Sequence, residues 1–354
     1  MRSDRLTVVH GFTLVELLIS MGIFSVLLAV LYPAFSSVSK NTGEIGDKEE
    51  MMQKGQRVLD YMAEELRMAG LFVGGHPNPL MDDFGNKGII FCGVPLYDSL
   101  EHLDRNDPAD NYSDEITFLT SERVPTTLAN APYLQATADV EAGGDLIPVN
   151  ASNGDASDIV PDTGTSNNAQ AFITFDNLKP SLGKLLYQVT GYNGANLTIA
   201  SPGIDKMQTV TKFSNVYLIE RKRFSVDANR NLVITKWKSD CTQAPDNILL
   251  ASFGTGTKNG GVDGFQVEFN LAARPTGIVG DRVGLVSSIT GTDVEYVKTV
   301  TMWLLVRSDF PANGYTDTQS YTLGSANPVV IPAFNDQYRR MVLTKSVEVK
   351  NVGL

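Results

Sequence analysis

From Leu17 to Ser39 the chain carries no charged residue. Leu17–Leu31 is built of Leu, Ile, Val, Ala, Met and Phe, broken only by Ser20, Gly22 and Ser25. A helix rises about 1.5 Å per residue and a bilayer core is about 30 Å thick, so roughly 20 such residues span it. A cleavable secretory signal has a shorter apolar core, followed by a small-residue cut site. Here the order is reversed. The candidate cut site, Gly11, precedes the apolar run, and a lone carboxylate, Glu16, sits just inside it. A charge within such a span costs about 2.5–3.5 kcal/mol on insertion scales, and side chains kept at that cost are usually functional. A cut after Gly11 would leave Glu16 one helical turn from a new amino terminus at Phe12. In lipid it could then pair with the terminal ammonium of a neighbouring copy.

Arg2 and Arg5 precede the span, whereas Lys40 and the mixed-charge stretch Asp47–Glu50 follow it. The positive-inside tendency keeps the short leader cytoplasmic and sends the polar body outward. The chain's net charge is −11. Residues 1–11 carry Arg2, Arg5 and Asp4, a net +1, so cleavage leaves −11 − 1 = −12. Such an acidic body has no electrostatic case for binding nucleic acid. The two cysteines, Cys92 and Cys241, would meet an oxidising compartment. They are disulfide candidates, worth about 2–4 kcal/mol if unstrained. The alternative is two separate buried thiols.

Beyond Pro33 the helix resumes as an amphipathic one. Met51, Gly55, Val58, Met62, Leu66 and Ala69 recur at spacings of three and four and share a face. Glu50 and Lys54 form a favourable i, i+4 pair on the other side. Gly43 and Gly46 loosen the join between the halves. Gly70 is a C-terminal cap, and Gly74-Gly75-His76-Pro77 cannot continue the helix. Residues 76–115 read as loop. The acidic run Glu101–Asp110 offers oxygen ligands for calcium, but it has neither the spacing, the glycine nor the closing Glu of an EF-hand, so a solvated turn is favoured. No other cofactor is indicated.

Val124–Leu178 contains no Lys or Arg, only the acids Asp139, Glu141, Asp145, Asp155, Asp158, Asp162 and Asp176, with Asn, Ser, Thr and Gly crowding its middle. It reads as a flexible excursion or a decorated loop on a sheet, with a solvated insertion favoured. Strands are expected at Ile116–Leu119, Phe172–Phe175, Leu185–Val189, Asn215–Val226 and Leu232–Trp237. Asp227-Ala228-Asn229-Arg230-Asn231 forms a hairpin turn between the last two. Phe265, Val267 and Phe269 alternate with Gln266 and Glu268, so one face of that strand is buried. Val300, Met302, Leu304 and Val306 share a face, with Trp303 and Leu305 on the other, as in a central strand. Met341–Val349 is the closing strand.

Gly11-Phe12-Thr13-Leu14-Val15-Glu16-Leu17 resembles the processing site of type IV pilins and of the pseudopilins of type II secretion. The resemblance implies that a prepilin peptidase cuts after Gly11 and methylates the new terminus, Phe12. It makes Glu16 the assembly carboxylate and Pro33 the helix-kinking proline of many pilins. Gln56–Gly70, Asp263–Val267, Val300–Ser308 and Val347–Asn351 are similar to PilW-type minor pilins, although Val349-Lys350-Asn351 departs slightly from the family's usual ending. The implied fold is α+β: a long N-terminal helix, transmembrane then amphipathic, packed on an antiparallel β-sheet head with a large insertion. The divisions are a leader (1–11), a transmembrane and assembly half of the helix (12–39), an amphipathic periplasmic half (40–70) and a β-rich head (71–354) with its insertion at about 124–178. The implied role is pilus assembly, in a priming complex at or near the fibre tip. The implied partners are the peptidase, other minor pilins, the major pilin, the inner-membrane assembly platform and a tip adhesin. The implied location is the inner membrane, with a periplasmic head, and then the cell surface. A type II secretion pseudopilin and an adhesive or ligand-binding tip subunit are the alternatives.

Catalytic patterns are lacking. Of the histidines only His76 and His102 follow the cut site, and there is no His-x-x-x-His or Cys-x-x-Cys pair. Lys258–Gly264 is glycine-rich but reads as a turn before a strand, without the helix that a dinucleotide motif needs. The sequence reads as a non-enzyme.

Overall fold

The computed structural model describes residues 13–70, 89–91, 94–96, 100–103, 112–124, 126, 133–150, 171–178, 186–193, 195–201, 203–204, 208–237, 247–250, 261–272, 284–287, 289 and 296–349. Gly11, Phe12, His76, Cys92, Cys241 and the acidic residues 104–110 fall outside these, as do residues 151–170. The chain divides into two compact units, Met1–Glu50 and Met51–Leu354.

Helix α1 covers Leu14–Arg67 and runs through Pro33, Gly43 and Gly46. In the first unit its side chains are uncovered. Leu17, Leu18, Ile19, Phe24, Leu27, Leu28 and Leu31 are all at least half exposed. In the second unit one helical face is buried. Met51, Gly55, Val58, Met62, Leu66 and Ala69 are all covered, as the spacing predicts, and Leu59 and Ala63 widen the stripe. Each such large side chain contributes about 1.5–3 kcal/mol when fully buried. The helix tightens at its end, where Met68 N–H and Ala69 N–H donate to the Glu65 and Leu66 carbonyls. Gly70 then takes a positive φ of 72° and donates its N–H to the Leu119 carbonyl. This is the expected cap, and it ties the helix end to the sheet.

Among the described residues seventeen strands follow: β1 (Ile89–Phe91), β2 (Val94–Leu96), β3 (Leu100–Leu103), β4 (Glu115–Arg123), β5 (Leu146–Pro148), β6 (Ala171–Phe175), β7 (Tyr187–Tyr192), β8 (Asn196–Ile199) and β9 (Val216–Val226). The series continues with β10 (Leu232–Trp237), β11 (Asn247–Leu250), β12 (Gly261–Leu271), β13 (Gly284–Val286), β14 (Val297–Arg307), β15 (Tyr321–Leu323), β16 (Val329–Ile331) and β17 (Arg340–Glu348). All their ladders are antiparallel. The larger sheet runs β11-β10-β9-β6-β7-β8-β5, with β4 pairing β9 and β3 beyond β4. The second sheet runs β13-β12-β14-β17, so β14 is a central strand as its two-sided apolar pattern predicts. Glu101 and His102 lie in β3 rather than in a loop.

The main core lies between the buried helix face and both sheets. Phe118 and Phe224 pack with ring centres 5.2 Å apart and planes tilted by 33°, beside Phe265, Phe269, Met302 and Leu304. The helix approaches the second sheet closely at Gly55. A Cβ there would lie 2.2 Å from Leu343 Cδ1 and 3.1 Å from Val306 Cγ2, so this position has no room for a side chain.

Lys54 Nζ meets Asp309 Oδ2 at 2.7 Å, a partner far along the chain that the local i, i+4 rule does not see. Two sequence expectations change. Both faces of β12 are buried, because the β15–β16 hairpin and neighbouring chain cover Gln266 and Glu268. The described parts of 124–178 are built into the fold. Val124, Leu134, Ala136, Val140, Ile147, Val149, Ile173 and Phe175 form a second apolar core with Tyr187, Leu197 and Val216. This segment builds a lobe on the large sheet, where the charge pattern suggests a solvated insertion.

Candidate functional site

Thr13 caps α1. Its carbonyl accepts the first helical bond, from Leu17 N–H at 3.2 Å. Glu16 Oε2 accepts from the Thr13 N–H and from the Thr13 hydroxyl, both at 2.9 Å, and Glu16 N–H donates to Thr13 Oγ1 at 3.3 Å. This reciprocal arrangement is a capping box. The Thr-x-x-Glu spacing that signals it is present in the sequence at Thr13 and Glu16. The box occupies one Glu16 oxygen. The other, Oε1, makes no hydrogen bond among the described residues. Farther along, Ser20 Oγ donates to the Glu16 carbonyl and Ser25 Oγ to the Met21 carbonyl, both at 2.7 Å. The hydroxyls that interrupt the apolar run are therefore satisfied within the helix, which lowers their cost in lipid. Pro33 lies inside the same helix.

In the head, ionised groups serve as clasps. The register of β12 slips between Val262 and Gly264, a bulge that takes Asp263 out of the ladder. Asp263 meets Arg340 Nε at 2.6 Å, pairs with Arg230 and lies 3.8 Å from Arg307. Arg340 also reaches Asp317 and Asp336 at 2.7 Å, and its guanidinium carbon sits 3.6 Å from the Phe334 ring centre. Tyr321 donates its hydroxyl to Asp317 at 2.9 Å. Burial alone would lower the Arg340 pKa, but the Asp336 and Asp263 carboxylates outweigh it and push the pKa up. Burial pushes the Tyr321 hydroxyl up as well, with Asp317 adding to it. Three guanidinium groups thus face three carboxylates, and the balance keeps a costly buried cluster tolerable. Nearby, Glu268 accepts from Ser325 N–H, Ala326 N–H, Ser325 Oγ and Trp303 Nε1, which pins the β15–β16 turn to the sheet.

Asp227 behaves as a turn residue. Its Oδ1 accepts from Asn229 and Asn231 N–H, both at 2.8 Å, and its Oδ2 from Asn231 Nδ2 at 2.7 Å. Arg230 completes the turn with φ 64°. Among the described residues no group of His, Cys, Asp and Glu side chains is placed to hold a metal ion.

Residues 7–32 match the prokaryotic N-terminal methylation motif, and residues 254–351 match the family described as type IV pilus-assembly protein W. No curated protein matches the chain. Among solved structures, a type IV-like pilin from Thermus thermophilus aligns at 12% identity and a TM-score of 0.38, over 86% of this chain and 100% of that one. A methylation motif at the head of an uncovered apolar helix, followed by antiparallel sheets, defines a type IV pilin-like protein. The second match covers β12, β14 and the closing strand β17, and with the methylation motif it supports a PilW-type minor pilin in type IV pilus assembly.

Proposed function

We propose that the chain is cut after Gly11 by a prepilin peptidase and methylated at Phe12. It then acts from the inner membrane, with its head in the periplasm, in a complex that primes the fibre and stays at or near its tip. The carrying observation is the Thr13–Glu16 box at the mouth of the uncovered apolar helix. Thr13 holds one carboxylate oxygen in place, and Oε1 remains to receive the terminal ammonium of an adjacent pilin. Capping and intersubunit pairing are thus compatible in one residue. Residues 14–39 pack first among lipid and then among other pilin helices, both of which accept an apolar surface with internally satisfied hydroxyls. The other minor pilins, the major pilin and the assembly platform are the partners this role requires. The work of the chain is structural, with no catalytic step of its own.

Pili sheared from cells lacking the protein test this reading. Near-total loss of pili is expected, restored by the intact gene and not by a Gly11→Val copy, whose intact mass should retain the leader. Unchanged piliation would overturn the priming role. Glu16→Ala should be cleaved normally yet enter the fibre poorly, and normal incorporation would remove the charge-pair argument.

A further inference from the structure

Arg123 ends β4 on the lobe side of the head and is exposed. Its Nε donates to the Tyr217 hydroxyl at 3.0 Å. Its guanidinium carbon lies 5.1 Å from the Tyr133 ring centre and 5.7 Å from that of Tyr217, both within cation–π reach. Lys54, Lys222, Arg230, Arg307 and Arg340 all face carboxylates. Arg123, in contrast, makes no ion pair among the described residues, although the chain is strongly acidic. Two rings and one hydrogen bond fix it, and among the described residues its terminal nitrogens have no other partner, a planar fork of the geometry that suits a carboxylate.

A row of planar polar groups lies alongside. Gln135 and Asn215 face each other across an antiparallel bridge. Each is two residues from a tyrosine of the Arg123 cluster, and alternate residues of an extended strand share a face. Gln135 Nε2 donates to Asn215 Oδ1 at 3.0 Å, and Asn215 Nδ2 donates to Asp176 Oδ2 at 2.5 Å. Asn150 accepts from Gln135 N–H at 2.7 Å and donates to the Tyr133 carbonyl at 3.2 Å, so the segment carrying ring and amide is fixed. Tyr133 itself is 38% exposed. A fixed row of donors and acceptors beside an exposed ring suits vicinal hydroxyls on a flat, half-apolar ligand.

We propose that this face binds an acidic saccharide. The Arg123 fork takes the carboxylate, the Tyr133 ring covers one face of a pyranose, and the Gln135–Asn215–Asp176 row takes the adjacent hydroxyls. The site belongs to the lobe and is independent of the assembly role. The test uses the full chain in detergent micelles, titrated calorimetrically with tri-galacturonate and with maltotriose. Tri-galacturonate should bind and maltotriose should not. R123M should weaken binding by about tenfold or more, and R123K, which keeps the charge without the fork, should fall between R123M and the parent. Y133A, with an unchanged circular dichroism spectrum, should also weaken it. Equal binding of maltotriose, no binding of tri-galacturonate, tighter binding of tri-glutamate, or an R123M variant as tight as the parent would each overturn the proposal.

Discussion

Residues 14–39 and 51–69 lie on opposite sides of the division between the two compact units, and they differ in what covers them. In the first stretch Leu, Ile, Val and Phe side chains stand open around the whole helix. In the second, only a stripe is apolar, and it is sealed by the head. The glycines show the same contrast. A side chain at Gly22, Gly43 or Gly46 would meet nothing within 4 Å, whereas one at Gly55 would strike Leu343. An all-round apolar helix needs lipid or other helices, and a striped one needs a sheet. The chain carries its own sheet and must find the rest of its surroundings elsewhere.

The largest effect expected from breaking this contrast is at Met62, which is fully buried. Met62→Ala should destabilise the head by about 2–5 kcal/mol, read as a lower near-ultraviolet dichroism melting midpoint in micelles. Leu27→Ala in the same assay should leave that midpoint in place. Gly55→Val should cost about 1–3 kcal/mol by overpacking against Val306 and Leu343. A midpoint equal to the parent's would show that the sheet yields more than its packing implies. Gly43→Ala should instead strengthen the helix by about 0.5–1 kcal/mol, read as increased helicity or protection from proteolysis at that point.

The subtlest effect is one of pH. Burial, then the Glu65 carboxylate, pushes the Tyr61 hydroxyl up from 10.0 to about 12. For Lys222, burial acts to lower the pKa, but hydrogen bonding and attraction from Glu65 and Glu220 win and raise it. Both groups hold their protons more tightly in the folded state. Their contribution is complete below the unfolded pKa values and is lost as pH rises through the folded ones. The head's melting midpoint should therefore fall between pH 10 and about 12. Tyr61→Phe should flatten part of that slope, and an unchanged slope would assign it to other groups.

What the sequence makes legible is local. Six positions of the buried helix face follow from spacing alone, as do the Gly70 cap and the Asp227–Asn231 turn, because each is decided within a few residues. The Thr13–Glu16 box is equally local, but in an apolar span the same glutamate also reads as a membrane charge, which masks its capping role. The second buried face of β12 is decided at long range. Gln266 and Glu268 look solvent-facing until the Tyr112 carbonyl accepts from the Gln266 amide and the hairpin around Ser325 folds over Glu268. The lobe is hidden for another reason. Its inner residues are joined by isolated bridges such as Ala136↔Val149 and Val140↔Val210, too short for an alternating pattern to emerge from the polar sequence. The Arg340 cluster draws on Asp263, Asp317 and Asp336, and no spacing rule connects them.

The buried face of α1 is covered in part by β17, far along the chain. Gly55 fits against Leu343, and Asp60 pairs with Lys345 at 2.9 Å, both on β17. In a chain made from its N-terminal end, the 51–69 stripe waits for the residues of β17 before its cover is complete. Arg340, which opens β17, must then find aspartates already in place. A chain cut before β17 would thus present an uncovered stripe, with Asp317 and Asp336 deprived of the Arg340 cation while Asp263 keeps Arg230 and Arg307. That is a form that a quality-control protease recognises.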